Sequence, residues 1–312
     1  MNIVLIADKN YIMPTSIVIA SILQSNAKEN LHFYIITQKP FINIINSSLQ
    51  SFIESHKNHA TLEIFTIENT DIIDFPIREG DHVSVAAYFR IFLPKLLPSI
   101  EKVLYIDGDT LCVDSLKEFY DTDLTEYSCA VVHDENDANK SYFNRLNYNS
   151  ENGYFNSGVM LINLDWWRKN NVMQKCLDYI TAEPDACIWH DQDVLNHVLN
   201  GSVLWIDFRY NYMQGFYFDK SDMCINTKYY NKIDIARNSP CIIHFSSMYK
   251  PWHVECNHPL KKKYRDFYRE YTGHKLKLTY KLHGLAKLKW HIKKIIHKTH
   301  IKRYADFRQA IP

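Results

Sequence analysis

The chain has 312 residues, 46% of them hydrophobic and 23% charged, enough to bury one large core or two modest ones. No stretch approaches the ~18 consecutive apolar residues that a membrane span requires. The Ile3-Val4-Leu5-Ile6-Ala7 run meets Asp8 too soon for a secretory signal, so a cytoplasmic protein that neither spans nor is exported is expected.

The net charge of +1 conceals an asymmetry: residues 261–312 carry 16 Lys and Arg against 3 acids, and the remainder carries 20 against 32. The seven cysteines show no C-x-x-C pair and no even count, which reads as reduced thiols rather than a disulfide framework or a zinc site.

In chain order, residues 2–7 read as a first strand, followed by a helix beginning near Pro14, a residue suited to a first helical turn. A strand at 31–37, an amphipathic helix at 41–56 and a strand at 62–67 follow. A helix at about 83–93 carries Tyr88 and Arg90. Next come a strand ending at Asp107, a strand at 129–133 and a polar, Asn-rich connection over 134–152. An extended run at 155–163, helices at 165–180 and 191–199, and strands at 203–207 and 241–245 complete the pattern. Alternation of strands and helices implies a mostly parallel sheet covered on both faces. One α/β domain over residues 1–258 and a separate segment over 259–312 account for it. There is no G-x-G-x-x-G and no Walker-type phosphate loop.

In open α/β sheets ligands bind beyond the carboxyl ends of the strands, and the polar clusters fall there: Asp8 and Asn10 after the first strand, Asp107 and Asp109 after the central one, His244 within the last. Lys102-Val103-Leu104-Tyr105-Ile106-Asp107-Gly108-Asp109-Thr110 is the focal stretch, an apolar strand ending on two carboxylates separated by one glycine. Two such carboxylates grip one ion only if the backbone bends between them, a bend that Gly108 permits. Oxygen ligation of this kind suits Mg²⁺ or Mn²⁺. A surface Asp-Gly turn is the plain alternative. For Asp8 and Asn10 the alternative is a turn and helix start, for His244 a hydrogen-bonded core histidine, and for Asp191 a helix N-cap.

Five ordered blocks carry a resemblance. They are Ile3 to Asn10, Tyr105 to Thr110, Tyr154 to Asn163, His190-Asp191-Gln192-Asp193-Val194-Leu195-Asn196, and Ile243-His244-Phe245-Ser246-Ser247-Met248-Tyr249-Lys250-Pro251-Trp252-His253. The set resembles the family 8 retaining glycosyltransferases, in particular the bacterial lipopolysaccharide galactosyl- and glucosyltransferases, over about residues 1–256. The resemblance implies a GT-A (Rossmann-like) fold, a UDP-galactose or UDP-glucose donor and a divalent metal. It assigns Asp107, Asp109 and His244 to Mn²⁺ (or Mg²⁺), and Ala7, Asp8 and Asn10 to the uridine end. Lys250, with Ser247 and Gly108 nearby, goes to the diphosphate, and Arg90, Asn156, Ser157, Asp191 and Gln192 to the transferred sugar, with His82 a further donor-site position. Two departures stand out. Ser247 replaces a glycine common in relatives, and Gly108 replaces a branched residue, which is expected to loosen the turn between the aspartates.

Retention, also implied by the family, takes either two inversions or front-face attack. With Gln192, a poor nucleophile, at the matching position, front-face attack is expected. The tail interleaves lysines with Tyr280, Leu285, Leu288, Trp290, Ile292 and other apolar residues, the pattern of an element lying on the inner face of an anionic membrane, consistent with a lipid-linked glycan acceptor. A solvated basic helix is the alternative, and the acidic body argues against nucleic acid. Rival functions are a haloacid-dehalogenase-type phosphatase, which expects Thr or Val where this chain has Leu111, and a noncatalytic nucleotide-sugar or glycan-binding protein.

Overall fold

A computed structural model describes residues 1–54, 59–67, 75–78 and 84–298. The strands are β1 (Asn2–Ile6), β2 (Leu31–Gln38), β3 (Ala60–Ile67), β4 (Lys102–Ile106), β5 (Thr110–Cys112), β6 (Cys129–His133), β7 (Phe155–Asn163), β8 (Val203–Trp205), β9 (Tyr212–Met213) and β10 (Ile242–His244). The helices are α1 (Ile12–Ser25), α2 (Ile42–Glu54), α3 (Leu93–Leu96), α4 (Lys117–Tyr120), α5 (Lys140–Leu146), α6 (Leu164–Lys169), α7 (Val172–Ala182), α8 (Asp191–Val198), α9 (Tyr230–Asn238), α10 (Lys261–Thr272) and α11 (Gly284–Lys298). The chain divides into two compact units, Met1–Tyr212 with Cys224–His244 and Met213–Met223 with Phe245–Pro312.

The first unit is built on a seven-stranded sheet of order β3-β2-β1-β4-β7-β6-β8. β3, β2, β1 and β4 run parallel, so β1 and β4 deliver Asp8 and Asp107 to the same edge. β7 is antiparallel to β4 and to β6, which brings its beginning, Asn156 and Ser157, to that edge as well. The central strands are apolar on both faces, as a sheet covered on both sides requires: Val103, Leu104, Tyr105 and Ile106 are all buried, and so is β7 from Phe155 to Ile162. Away from this sheet β5 pairs antiparallel with β10, placing His244 opposite Thr110.

Three expectations change. The helix expected at 83–93 is a 3-10 helix, Val85–Phe92, followed by α3. Its three-residue period stacks Ala86, Phe89 and Phe92 in one buried column, and so long a 3-10 segment is uncommon outside functional regions. The Asn-rich connection at 134–152 contains α5, and its asparagines serve as caps: the Asn139 side chain accepts from Ser141 N–H, and Asn147 closes the helix at φ 51°. The single helix expected at 165–180 breaks at Asn171, at φ 52°, a left-handed conformation that asparagine tolerates. His82 lies outside the described residues.

Within the second unit, Glu255 accepts from the N–H groups of Lys281 and Leu282 at 3.1 and 2.9 Å. Arg265 on α10 donates to the carbonyls of Pro251 and His253 at 2.8 and 3.0 Å. These bonds fasten the 251–255 loop to the start of the basic tail.

Gly108 has a packing role in the turn between the aspartates. Its φ lies outside the left-handed range, so conformational freedom is not what it supplies. A Cβ there would lie 2.9 Å from Tyr11 Cδ1 and 3.2 Å from Thr15 Oγ1, so the missing side chain lets the start of α1 pack against the Asp-Gly-Asp turn. Gly108→Val is expected to cost about 1–3 kcal/mol in urea denaturation. Adding Tyr11→Ala should recover part of that loss, and an uncoupled pair would refute the contact.

Candidate active site

Asp107 and Asp109 stand at the end of β4, and the β5–β10 ladder brings His244 to them across the length of the chain. One ligand atom from each of the three lies within 4.8 Å of the others. His244 Nε2 is 3.3 Å from Asp109 Oδ1. The other imidazole nitrogen, Nδ1, is 2.8 Å from Asn211 Oδ1, while Asn211 Nδ2 donates to Asn156 Oδ1 at 2.9 Å. With its carbonyl oxygen toward the ring, Asn211 fixes the proton on Nδ1 and turns the Nε2 lone pair toward the carboxylates, as metal-binding imidazoles require. Two carboxylates and one such imidazole fit a hard-to-borderline divalent cation.

Space for that convergence comes from Gly158 on β7. A Cβ there would fall 2.4 Å from His244 Cε1 and 2.7 Å from Asp107 Oδ2. The neighbouring backbone is anchored, since Asp107 N–H donates to the Gly158 carbonyl at 2.7 Å.

Behind the cluster lies Arg90, on the 3-10 helix and buried. Its Nη2 contacts Asp107 Oδ1 at 3.1 Å and its Nε contacts Asp191 Oδ2 at 3.1 Å. Its Nη1 donates to the Ser157 carbonyl, and the guanidinium lies 4.1 Å over the Tyr105 ring. The Tyr105 hydroxyl donates to Asp107 Oδ1 at 2.6 Å. Burial opposes the charge on Arg90, but Asp191 and Asp107 outweigh it and hold the guanidinium above its ordinary pKa. Burial also pushes the Asp191 carboxyl upward, against the pull of Arg90. Asp191 is the first residue of α8 rather than its N-cap; that place is taken by His190, at φ 53° and ψ −129°.

The polar ring continues through α8 and β7. Ser157 Oγ donates to Asp191 Oδ2 at 3.0 Å. Gln192 Oε1 accepts from Asn156 Nδ2 at 3.0 Å and from Ser157 N–H at 3.1 Å, and Gln192 Nε2 donates to Asp134 Oδ2 at 3.1 Å. Asp107, Asp109, His244, Arg90, Asn156, Ser157, Asp191 and Gln192 are thus brought together in one unit. Asp8 lies at the same sheet edge, accepting from Asn10 and Tyr11 N–H and from Ser84 Oγ at 3.0 Å, which makes it the cap of the turn into α1. Ala7 is buried, its N–H and carbonyl bonded to Ile36 and Thr37. Ser247 and Lys250 belong to the second unit, where Ser247 Oγ accepts from Tyr249 N–H and Lys250 Nζ donates to the Phe245 carbonyl at 2.9 Å.

Sequence reasoning missed Asp134 and Asn211. Asp134 is buried just beyond β6, holds Asn156 and Gln192, and has its carboxyl pushed up by burial. The rule that ligands gather at strand ends could have found it. Asn211 is the last residue of a short 3-10 helix, Phe208–Asn211, and has no comparable signal.

Two outcomes follow. Gly158→Ala must displace His244 or Asp107, so affinity for a divalent cation, read by titration calorimetry, is expected to fall about 10- to 100-fold while the far-ultraviolet spectrum is kept. Arg90→Met leaves two carboxylates uncompensated and should cost about 3–5 kcal/mol at pH 7. The loss shrinks as pH falls, because protonation of Asp191, whose carboxyl is already raised, removes the unpaired charge. Urea denaturation at pH 7 and pH 5 checks both the size and the sign.

The model of glycosyl transferase family 8 matches residues 2–256. The lipopolysaccharide 1,2-glucosyltransferase of Escherichia coli (strain K12) is 28% identical over 269 residues, 85% of this chain and 76% of that protein. The lipopolysaccharide 1,3-galactosyltransferase of Salmonella typhimurium (strain LT2) is 27% identical over 269 residues, 84% of this chain and 75% of that protein. Galactosyltransferase LgtC, solved in complex with donor and acceptor sugar analogs, matches with a TM-score of 0.73 at 24% identity, over 86% of this chain and 96% of that one. At that identity the likeness concerns the fold, which is GT-A, with the sheet and strand-end cluster described above. The match of the family model over most of the chain shows that the chain belongs to glycosyl transferase family 8.

Proposed function

We propose that the protein transfers galactose or glucose from a UDP-sugar to a saccharide acceptor with retention of configuration, using a divalent cation held by Asp107, Asp109 and His244. The observation that carries this is the convergence of those three ligands beside the Arg90, Asp191 and Gln192 cluster. The relatives named for lipopolysaccharide glycosyl transfer support an acceptor in the core of a lipid-linked glycan. Mn²⁺ is favoured over Mg²⁺ because an imidazole joins the carboxylates. Such a cation supplies neutralisation of the charge that develops on the departing diphosphate.

The chain's own residues do the rest. Arg90 pairs with both Asp107 and Asp191 and fixes the two carboxylates in place. Asp191, with Ser157 and Asn156, offers donors and acceptors suited to sugar hydroxyls. Gln192 has its amide oxygen committed to two N–H donors, which makes it a poor nucleophile and supports front-face attack. Asp8 and Asn10 at the same edge are assigned to the uridine end, with His82 and the Ala7 backbone. Ser247 and Lys250 are assigned to the diphosphate, with the close backbone at Gly108.

We further propose that residues 259–312 attach the protein to the inner face of an anionic membrane. Among the described residues no helix is long and apolar enough to cross a membrane. α11, however, exposes Leu285, Leu288 and Ile292 along one face of a lysine-rich helix, the arrangement of an interfacial anchor.

UDP release measured across UDP-sugars is expected with UDP-galactose or UDP-glucose and Mn²⁺, to vanish with EDTA, and to fall at least about 100-fold in Asp107→Asn. Turnover of phosphomonoesters without protection by UDP, or donor binding without UDP release, would sink the transferase reading. A chain ending before Gly284 is expected to lose cosedimentation with anionic vesicles while retaining UDP release; unchanged cosedimentation refutes the anchor.

A further inference from the structure

The turn that presents Asp191 is backbone-strained, and a buried ion pair that includes none of the cation ligands holds it. His190 adopts φ 53° and ψ −129°, a region that glycine favours and that costs a residue with a side chain on the order of 1–3 kcal/mol. Such a conformation persists only when its surroundings over-determine it. Asp193, fully buried as the third residue of α8, supplies that constraint. Its Oδ2 accepts from Trp189 N–H at 2.5 Å, so the carboxylate reaches back across His190 and closes the turn. Arg145, on α5, grips the same carboxylate with both arms, at 2.6 and 3.0 Å. The Tyr154 hydroxyl adds a bond to Asp193 Oδ1 at 2.8 Å. Arg145 Nη1 also donates to the Ala186 carbonyl, so one guanidinium holds the chain on both sides of the strained residue.

We infer that Arg145, Asp193 and Tyr154 are positioning residues, a clamp that maintains the strained His190 turn and thereby aims Asp191 and Gln192 at the transferred sugar. Arg145 touches neither Asp191, nor Gln192, nor any cation ligand through a side-chain bond among those described, so its influence on transfer passes through Asp193 and the turn, whereas the Tyr154 hydroxyl also meets Gln192 directly. The inference rests on the assignment of Asp191 and Gln192 to the sugar end of the donor site.

A purely structural ion pair would lower stability and leave the turnover of folded protein untouched. A clamp separates the two. Asp193→Asn, Arg145→Leu and the isosteric Tyr154→Phe are compared with the parent full-length chain. The measurements are UDP release from the UDP-sugar that the parent turns over, affinity for UDP with Mn²⁺, and hydrogen exchange over residues 187–192. Expected are a kcat about tenfold to a hundredfold lower for the first two and a smaller loss for Tyr154→Phe, with UDP affinity within about twofold and faster exchange at Trp189. In the Asp193→Asn chain, His190→Gly is expected to return part of the lost kcat, because glycine holds a positive φ without the clamp. The inference is overturned if kcat per folded molecule is unchanged, or if exchange at 187–192 keeps the parent rate. Should either charge variant fail to fold, Arg145→Lys, which keeps the charge and loses the two-armed grip, decides by the same readouts. If the parent releases UDP from no sugar nucleotide, the functional assignment fails instead, and the exchange rates still judge the clamp.

Discussion

Arg90 places one positive charge in the interior, and the organisation of the strand-end edge follows from the need to compensate it. A guanidinium taken out of water costs several kcal/mol unless its donors are matched. Here the match comes from three separate elements: Asp107 at the end of β4, Asp191 at the start of α8 and the Ser157 carbonyl at the start of β7. The same charge offsets the repulsion between the two carboxylates, Asp107 and Asp191, that it brings near each other. The 3-10 helix that carries Arg90 is packed on the apolar face of the sheet by Ala86, Phe89 and Phe92, so the charge is delivered by a rigid element.

Around that ion pair runs a ring of amides whose donors and acceptors are used in a consistent sense. Asn156 accepts from Gly158 N–H and Asn211 Nδ2 and donates to Asp134 and Gln192. Each amide therefore has one orientation that satisfies all its neighbours, and the orientation propagates to His244 and sets its tautomer. Such a ring resists rearrangement, because rotating any one amide would leave two buried groups unmatched. Preorganisation of this kind is what a transfer reaction through a highly charged transition state needs.

Much of this was legible in the residues. A mostly parallel sheet covered by helices follows from alternating apolar runs and helical stripes, and Asp107, Asp109 and His244 stood at strand ends where ligands gather. What escaped were features decided by tertiary contact. Gly108 looked like a licence for a bend, but its role is to admit the Tyr11 ring, which no local pattern reveals. The Asn-rich 134–152 segment looked like a loop because its asparagines are helix caps, and capping residues and loop residues share the same chemistry. Asn211 and Arg145 matter through partners far away in sequence, and a single chain carries no trace of such pairings.

The β5–β10 ladder joins His244 to the aspartates through only three residue pairs, Cys112 with Ile242, Leu111 with Ile243 and Thr110 with His244. Short ladders open locally at far lower free energy than the whole domain unfolds. Opening of this one withdraws the imidazole while Asp107 stays anchored beyond the end of β4 by its N–H bond to the Gly158 carbonyl. Affinity for a cation at this site is therefore linked to the local stability of β10. A cation bound there would act as a cross-link between distant parts of the chain, stabilising the closed ladder by an amount that grows with the logarithm of its concentration.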